Sequence, residues 1–151
     1  MKKFGLILYL SLLSIFLLGC QQESEINNLK KSSHPEEAMK NGDVVNVHGK
    51  ISNLDKFENF IKNAKKGVKD DVRITMYTIE GDPIFLKLNY DGNEIQYTYD
   101  DSQDGYAGSG KGIKSTSCSN LESRNNDEGV EYYLSGCSSD VGDTFSFQIS
   151  Q

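Results

Sequence analysis

The sequence feature that most constrains the fold is an alternation of apolar and polar residues that begins after Asp71. It runs through three successive segments, and a period of two is typical of β-strands that bury one face. The segments are separated by Glu80-Gly81-Asp82-Pro83 and by Asp91-Gly92, and an Asp-Gly pair indicates a tight hairpin turn. We therefore predict a three-stranded antiparallel meander with these apolar residues along one face: Val72, Ile74 and Met76; Ile84, Leu86, Leu88 and Tyr90; Ile95, Tyr97 and Tyr99.

A segment ahead of the meander has the period of an amphipathic helix. It runs from Asn53 to Lys66, and Ser52 and Asp55 have the spacing of a capping box at its start. The lysines of its last turn complement the helix dipole, which explains them without a ligand. The apolar stripe of this predicted helix consists of Leu54, Phe57, Phe60, Ile61 and Ala64.

Weaker patterns complete the order of elements. Alternating apolar residues predict strands at 44–47, 130–134 and 145–149, whereas residues 101–112 are a glycine-rich loop and residues 114–129 are polar and irregular. The predicted fold class is therefore α+β, in the order β-α-β-β-β-loop-β-β. One antiparallel sheet, the meander, is expected to pack against one main helix, with its second face polar enough to remain in contact with water.

The N-terminus has the composition of an export signal. Two lysines precede an uncharged apolar run of 15 residues, Phe4 to Leu18, which is shorter than the roughly 20 residues of a membrane-spanning helix. The run ends in Leu17-Leu18-Gly19-Cys20, which resembles the lipobox of bacterial lipoprotein signal peptides. The resemblance implies that Cys20 is acylated, becomes the mature N-terminus and holds the protein on the extracytoplasmic face of the cell membrane. An uncleaved anchor and a simple secretory signal are the alternative interpretations.

Cleavage at this point divides the chain into a signal peptide (1–19), a flexible polar tether (20–33) and a single domain (34–151). The signal peptide contains two of the 16 basic residues and none of the 22 acidic ones, so the mature chain has 14 against 22, a net charge of −8. This charge argues against nucleic acid as a partner, because nucleic acid is a polyanion. It is also what keeps a small exported domain soluble.

The cysteines give one further prediction. With Cys20 consumed by lipid, Cys118 and Cys137 remain as an even number in an oxidising compartment. We interpret them as a disulfide rather than as metal ligands.

Two loop motifs suggest ligands. Residues 105–112 match a phosphate-binding loop except that Gly112 stands where a hydroxyl must hold magnesium, so we expect no nucleotide. Asp100, Ser102 and Asp104 occupy positions 1, 3 and 5 of a calcium loop, but Lys111 occupies the position of its bidentate acid. We predict at most weak, millimolar calcium binding there and no other cofactor, and a solvated acidic turn is the alternative.

No catalytic residue can be assigned from the sequence. His34 and His48 lie 14 positions apart, with no nucleophile that the sequence singles out. Tyrosines recur along the predicted strands, where they either pack with a hydrated hydroxyl or form a contact surface for a partner. They are Tyr77, Tyr90, Tyr97, Tyr99, Tyr106, Tyr132 and Tyr133.

The segments NVHGKISNLDKFENF, EGDPI and LNYDG, together with the two late cysteines, resemble an uncharacterised domain family of short lipoproteins from Gram-positive bacteria. The resemblance covers His34 to Ser150 and implies a single domain without supplying an activity. We therefore predict a non-enzymatic, membrane-anchored binding or interaction lipoprotein with an unknown protein or cell-envelope partner. The alternative is a small cation- or ligand-sensing lipoprotein that uses the Asp100–Lys111 loop.

Overall fold

The computed structural model describes residues 34–150, so the predicted signal peptide, Cys20 and the tether lie outside the described residues. Two α-helices are present in this part of the chain, α1 (Pro35–Lys40) and α2 (Leu54–Lys65). Two 3-10 helices lie at Gly108–Gly110 and Asp140–Thr144. The strands are β1 (Val44–Val47), β2 (Lys50–Ser52), β3 (Asp70–Tyr77), β4 (Pro83–Tyr90), β5 (Ile95–Asp100), β6 (Ile113–Asn126), β7 (Gly129–Cys137) and β8 (Ser146–Ser150).

All eight strands belong to one mixed sheet in the order β2-β1-β3-β4-β5-β6-β7-β8. The β1–β3 pair is parallel, because α2 lies in the connection that returns the chain to the same end of the sheet, and the other pairs are antiparallel. The predicted meander is present as β3, β4 and β5, with Val72 opposite Leu88 and Leu88 opposite Tyr97.

The predicted fold class is wrong. The described residues form a mostly β domain with one large mixed sheet, not an α+β fold in which a small antiparallel sheet packs against a main helix. Two strands were missing from the prediction. The segment expected to be irregular, 114–129, is largely the 14-residue strand β6, and β2 follows a two-residue turn in which His48 and Gly49 have φ values of 50° and 88°. Positive φ at both turn residues gives the twist that an antiparallel hairpin needs.

Helix α2 begins and ends within one residue of its predicted limits, but its start differs from the predicted capping box. Asn53 is the N-cap at φ 56°, with no side-chain cap. Its amide instead donates to the carbonyl oxygens of Met39 at 3.0 Å and Asp43 at 2.8 Å. Asn53 therefore holds the segment around α1 against the start of α2.

The sheet curves around the buried side of α2. The helix contacts β1 and β3, and its Phe57 ring lies edge-on to Tyr132 of β7 at 5.0 Å and to Phe147 of β8 at 4.9 Å. Since β7 and β8 are at the opposite end of the strand order, one helix reaches both groups only if the sheet is strongly curved. Phe57 and Phe60 are fully buried in the resulting core.

The predicted disulfide is present. Cys118 and Cys137 lie directly opposite each other on β6 and β7 and are bonded. The pattern of inward-facing residues shifts by one at this point, because Cys118 and Leu121 both contact the core, and Gly136 has a left-handed φ of 63°. The 3-10 helix Asp140–Thr144 packs on the disulfide so closely that a Cβ on Gly142 would overlap Sγ of Cys137 and lie 2.7 Å from its Cβ.

The face of β3 and β4 opposite this core carries a buried polar cluster. Asp43 Oδ1 accepts hydrogen bonds from Arg73 Nε at 2.8 Å and pairs with Arg73 Nη2 at 2.7 Å. Its Oδ2 accepts from the Thr75 hydroxyl at 2.6 Å, and the Arg73 guanidinium lies over the Phe85 ring. Farther along this face the Thr98 and Ser115 hydroxyls share a hydrogen bond. Contrary to the sequence prediction, the second face is therefore not in contact with water throughout, because Ala38 of α1 also packs there on Val45 and Tyr77 in a buried apolar cluster.

Candidate functional site

The candidate site is an open groove of about 320 Å³. One wall is the last half of α2, another is the β4–β5 hairpin, and the third is β6 just after the disulfide. The groove is lined by Ile61, Ala64 and Lys65, by Tyr90, Asn93 and Ile95, and by Ser119, Asn120 and Leu121.

The groove exists because two neighbouring strands separate. The β5–β6 pairing stops at Ile95 opposite Cys118, while β6 continues to Asn126 with β7 as its partner. Past Cys118, the edge of β6 that faces the β4–β5 hairpin has no pairing strand in the described part of the chain. The last half of α2 lies beside the space between that edge and the hairpin. The site therefore combines a strand edge with a helix surface.

The lining offers three kinds of contact. The side chains of Ile61, Ile95 and Leu121 give an apolar floor that also packs against the core. Amide and hydroxyl groups of Asn93, Asn120, Ser119 and Tyr90 supply hydrogen-bond donors and acceptors. Lys65 is exposed and brings a positive charge to a chain that is acidic overall. Apolar surface with a few polar groups around it is the usual composition of a binding groove.

Sequence reasoning did not find this groove. Its β6 wall lies in the segment predicted to be irregular, and a gap between strands depends on where pairing stops. Tyr90 was named on the apolar face of the meander and among the recurring tyrosines, and the basic residues at the end of α2 were attributed to the helix dipole.

Past the disulfide, the outer face of β6 and β7 carries a network of exposed polar groups. The Tyr133 hydroxyl donates to Glu122 Oε2 at 3.0 Å, and Ser135 Oγ donates to Glu122 Oε1. These hydrogen bonds lower the pKa of the Glu122 carboxyl, with Ser135 the larger cause. Arg124 Nε donates to Glu131 Oε2 at 2.8 Å, and its guanidinium lies over the Tyr133 ring.

The predicted acidic loop satisfies much of its hydrogen bonding internally. Asp100 Oδ1 accepts from the Ser102 N–H at 3.0 Å, and Asp104 Oδ1 accepts from the Tyr106 N–H at 2.8 Å. Buried Asp101, which the calcium motif did not include, accepts from the Gly112 N–H at 2.6 Å. Nowhere in residues 34–150 do three His, Cys, Asp or Glu side chains lie together so that they could hold a metal ion. Weak calcium binding stays a prediction.

The acids of this loop act on a neighbouring tyrosine. Burial raises the pKa of the Tyr99 hydroxyl, and the charges of Asp101 and Asp104 raise it further. The loop also contacts the β3–β4 turn, where Asp82 Oδ2 accepts from the Gly105 N–H at 2.8 Å.

The histidines occupy separate elements. His34 precedes α1, and exposed His48 lies in the β1–β2 turn with Nε2 3.1 Å from the Thr78 carbonyl oxygen. Neither lines the groove.

The tyrosines do not form a single row. Tyr97 is fully buried, and its hydroxyl lies 3.0 Å from Thr144 Oγ1. Burial raises its pKa strongly. Tyr132 packs inward against Phe57, Tyr133 faces outward, and Tyr106 is exposed in the glycine-rich loop. Only Tyr90 among the predicted tyrosines lines the groove.

A protein-family model described as "Domain of unknown function (DUF4362)" matches residues 41–133, more than half of the chain. This match confirms the predicted membership of an uncharacterised domain family. No curated protein and no solved structure matches the chain. Within residues 34–150, no helix has the length and apolar character needed to cross a membrane.

Proposed function

Since the chain belongs to the DUF4362 family of domains of unknown function, we propose a function from its own residues. It is a non-enzymatic, lipid-anchored lipoprotein of the extracytoplasmic membrane face, and its groove between α2, the β4–β5 hairpin and β6 binds a protein partner. The observation that carries the proposal is this groove, with its apolar floor, polar rim and single lining charge at Lys65.

The export half of the proposal is supported by the Leu-Leu-Gly-Cys ending at Cys20. The Cys118–Cys137 disulfide agrees with an oxidising compartment. Two acyl chains on Cys20 would suffice for stable anchoring, at about 0.8 kcal/mol for each buried methylene.

The binding half is supported by the contacts that the groove offers. Three aliphatic side chains form its floor, and the exposed side chains of Asn93, Ser119 and Asn120 surround it. An apolar centre with a polar rim is typical of protein interfaces.

A photo-crosslinking experiment in cells tests the groove. A benzophenone amino acid replaces Asn93, in the groove, or Asn89, an exposed residue on β4 outside it. We expect cross-linked species of higher mass from position 93 and not from position 89. Equal yields from both positions, or none from position 93, would contradict the groove as the binding surface.

The anchor is tested separately with Cys20→Ser in the full chain. We expect the variant to leave the membrane fraction or to stay unprocessed, and to lose labelling by fatty acid. Labelling and membrane recovery equal to wild type would contradict the lipoprotein half of the proposal without affecting the groove.

A further inference from the structure

Among the strands of residues 34–150, the edge of β6 that faces the groove is the longest stretch without a partner on one side. Residues 119–126 pair with β7 only, from Asn120 opposite Ser135 to Asn126 opposite Gly129, and among residues 34–150 no strand pairs with their other edge. Residues 122–126 are all exposed. The stretch contains neither Pro nor Lys, and its two charged residues are one acid, Glu122, and one base, Arg124. Pro and like charges are what protect an edge from pairing with another chain.

This edge is complementary to itself. If two copies pair antiparallel about a two-fold axis through Ser123, Glu122 of one copy lies opposite Arg124 of the other. An opposite-charge pair then lies on each side of the axis. Opposite charges on directly opposed residues stabilise an antiparallel pair of strands. In the same register Leu121 lies opposite Asn125, and Asn120 lies opposite Asn126.

The same register brings the partner's turn to the groove. Past Asn126, which lies opposite Asn120 of the first copy, the partner chain turns through Asp127 and Glu128. That turn then lies beside Ser119, which lines the groove together with Lys65. Asp127 and Glu128 of one copy are then placed at the groove that Lys65 of the other copy lines, and the two-fold axis gives the same arrangement a second time.

We infer that the partner which occupies the groove is a second copy of this chain, joined by antiparallel pairing of the two β6 edges about Ser123. The inference rests on the proposed function and names its partner. It gives an isologous dimer, in which the same surface is used twice.

A cysteine on the axis tests the register. Ser123→Cys in the full, exported chain places two thiols on directly opposed residues, whose Cβ atoms are about 4.5–5.5 Å apart in such pairs. We expect a disulfide-linked dimer on a non-reducing gel and a 123–123 linked peptide by mass spectrometry. Ser115→Cys is the matched control, because Ser115 is an exposed serine on the same strand that is already covered by β5.

A charge exchange tests the second contact. Lys65→Glu sets a like charge against the partner's turn and should lower the yield of the 123–123 disulfide by about two- to fivefold, the range of an exposed ion pair. Adding Asp127→Lys and Glu128→Lys to that variant should restore the yield.

The outcomes separate the inference from the proposed function. The inference is supported if Ser123→Cys forms a disulfide-linked dimer and Ser115→Cys does not. Equal yields of linked dimer from the two variants overturn it, because they indicate random collision. If position 93 cross-links to a different protein and no 123–123 disulfide forms, the partner is not a second copy of this chain. The groove then remains a binding site, and the proposed function stands. Absence of both the disulfide and the photo-crosslinks overturns the two proposals together.

Discussion

The meander β3–β5 and the ribbon β6–β7 are neighbours in one sheet, yet they are stabilised differently. In β4, Phe85, Leu86 and Leu88 are buried within an eight-residue strand. In the 14 residues of β6 only Thr116 and Cys118 are buried. The ribbon is held by its disulfide, by the 3-10 helix packed on it and by polar contacts on its outer face. A strand can therefore be specified by its partner as fully as by its own apolar residues.

The largest expected effect comes from removing a buried ring of α2, the helix that contacts β3 of the meander and packs against the ribbon through this ring. Phe57→Ala should lower the free energy of unfolding by about 3–5 kcal/mol, because the ring is fully buried against Tyr132 and Phe147. Urea denaturation measures the loss, and the exposed Glu58→Ala is the control on the same helix. Hydrogen exchange should accelerate in β4 and β7 alike. Acceleration in β7 alone would show that the meander folds independently of the ribbon.

Removing the disulfide should affect the ribbon first. Replacing Cys118 and Cys137 with Ala is expected to cost roughly 3 kcal/mol, since the bond closes a loop across a sequence separation of 19. Hydrogen exchange in β6 and β7 should rise more than in β3 and β4. An equal rise throughout the sheet would contradict the distinction between the two regions.

The meander could be predicted from the sequence because its inward residues alternate regularly within each of its three strands, and clear turn residues separate those strands. The helix α2 was predictable for a similar reason, since its stripe includes both buried rings, Phe57 and Phe60. The disulfide followed from the count of cysteines. The meander and α2 depend on residues close together in sequence, and the disulfide depends only on how many cysteines remain after Cys20.

The rest could not be predicted because it depends on pairing. Along β6 the inward-facing pattern shifts by one between Cys118 and Leu121, so no single period marks the strand. The β2 strand has three residues and follows a turn whose left-handed His48 is unusual for a residue other than Gly. The parallel contact of β1 with β3 joins segments about 30 residues apart. The groove in turn depends on where β5 ends.

A smaller effect should come from the residue that packs on the disulfide. Gly142→Ala adds a methyl group that overlaps Sγ of Cys137, and overpacking of this kind costs about 1–3 kcal/mol. Gly110→Ala is the control, because a Cβ there meets nothing within 4 Å. The cost should shrink when Gly142→Ala is combined with Cys118→Ala and Cys137→Ala, as measured by thermal or urea unfolding. An undiminished cost in that background would show that the added methyl is opposed by Cβ of residue 137, which Ala keeps at 2.7 Å, and not by the sulfur.

The smallest expected effect concerns the polar outer face of the ribbon and its dependence on pH. Hydrogen bonds from Ser135 and Tyr133 lower the pKa of Glu122 from its ordinary value of 4.5, so the folded state favours the charged carboxylate. A lowered pKa in the folded state gives stability that is present above the ordinary pKa and is lost as the pH falls through the folded value. Glu122→Gln removes this contribution. Its urea midpoint should therefore lie below that of wild type at pH 7 and approach it at pH 3.

Glu80→Gln is the control for that titration, because Glu80 is an exposed acid in the β3–β4 turn, away from the ribbon and from the free edge of β6. Its difference from wild type should change less between the two pH values than that of Glu122→Gln. If the Glu122→Gln difference stays constant with pH, the Ser135 and Tyr133 hydroxyls must bind the neutral and charged acid equally well. The outer face would then stabilise the ribbon through neutral hydrogen bonds, and the contrast with the apolar meander would rest on the disulfide and the packed 3-10 helix alone.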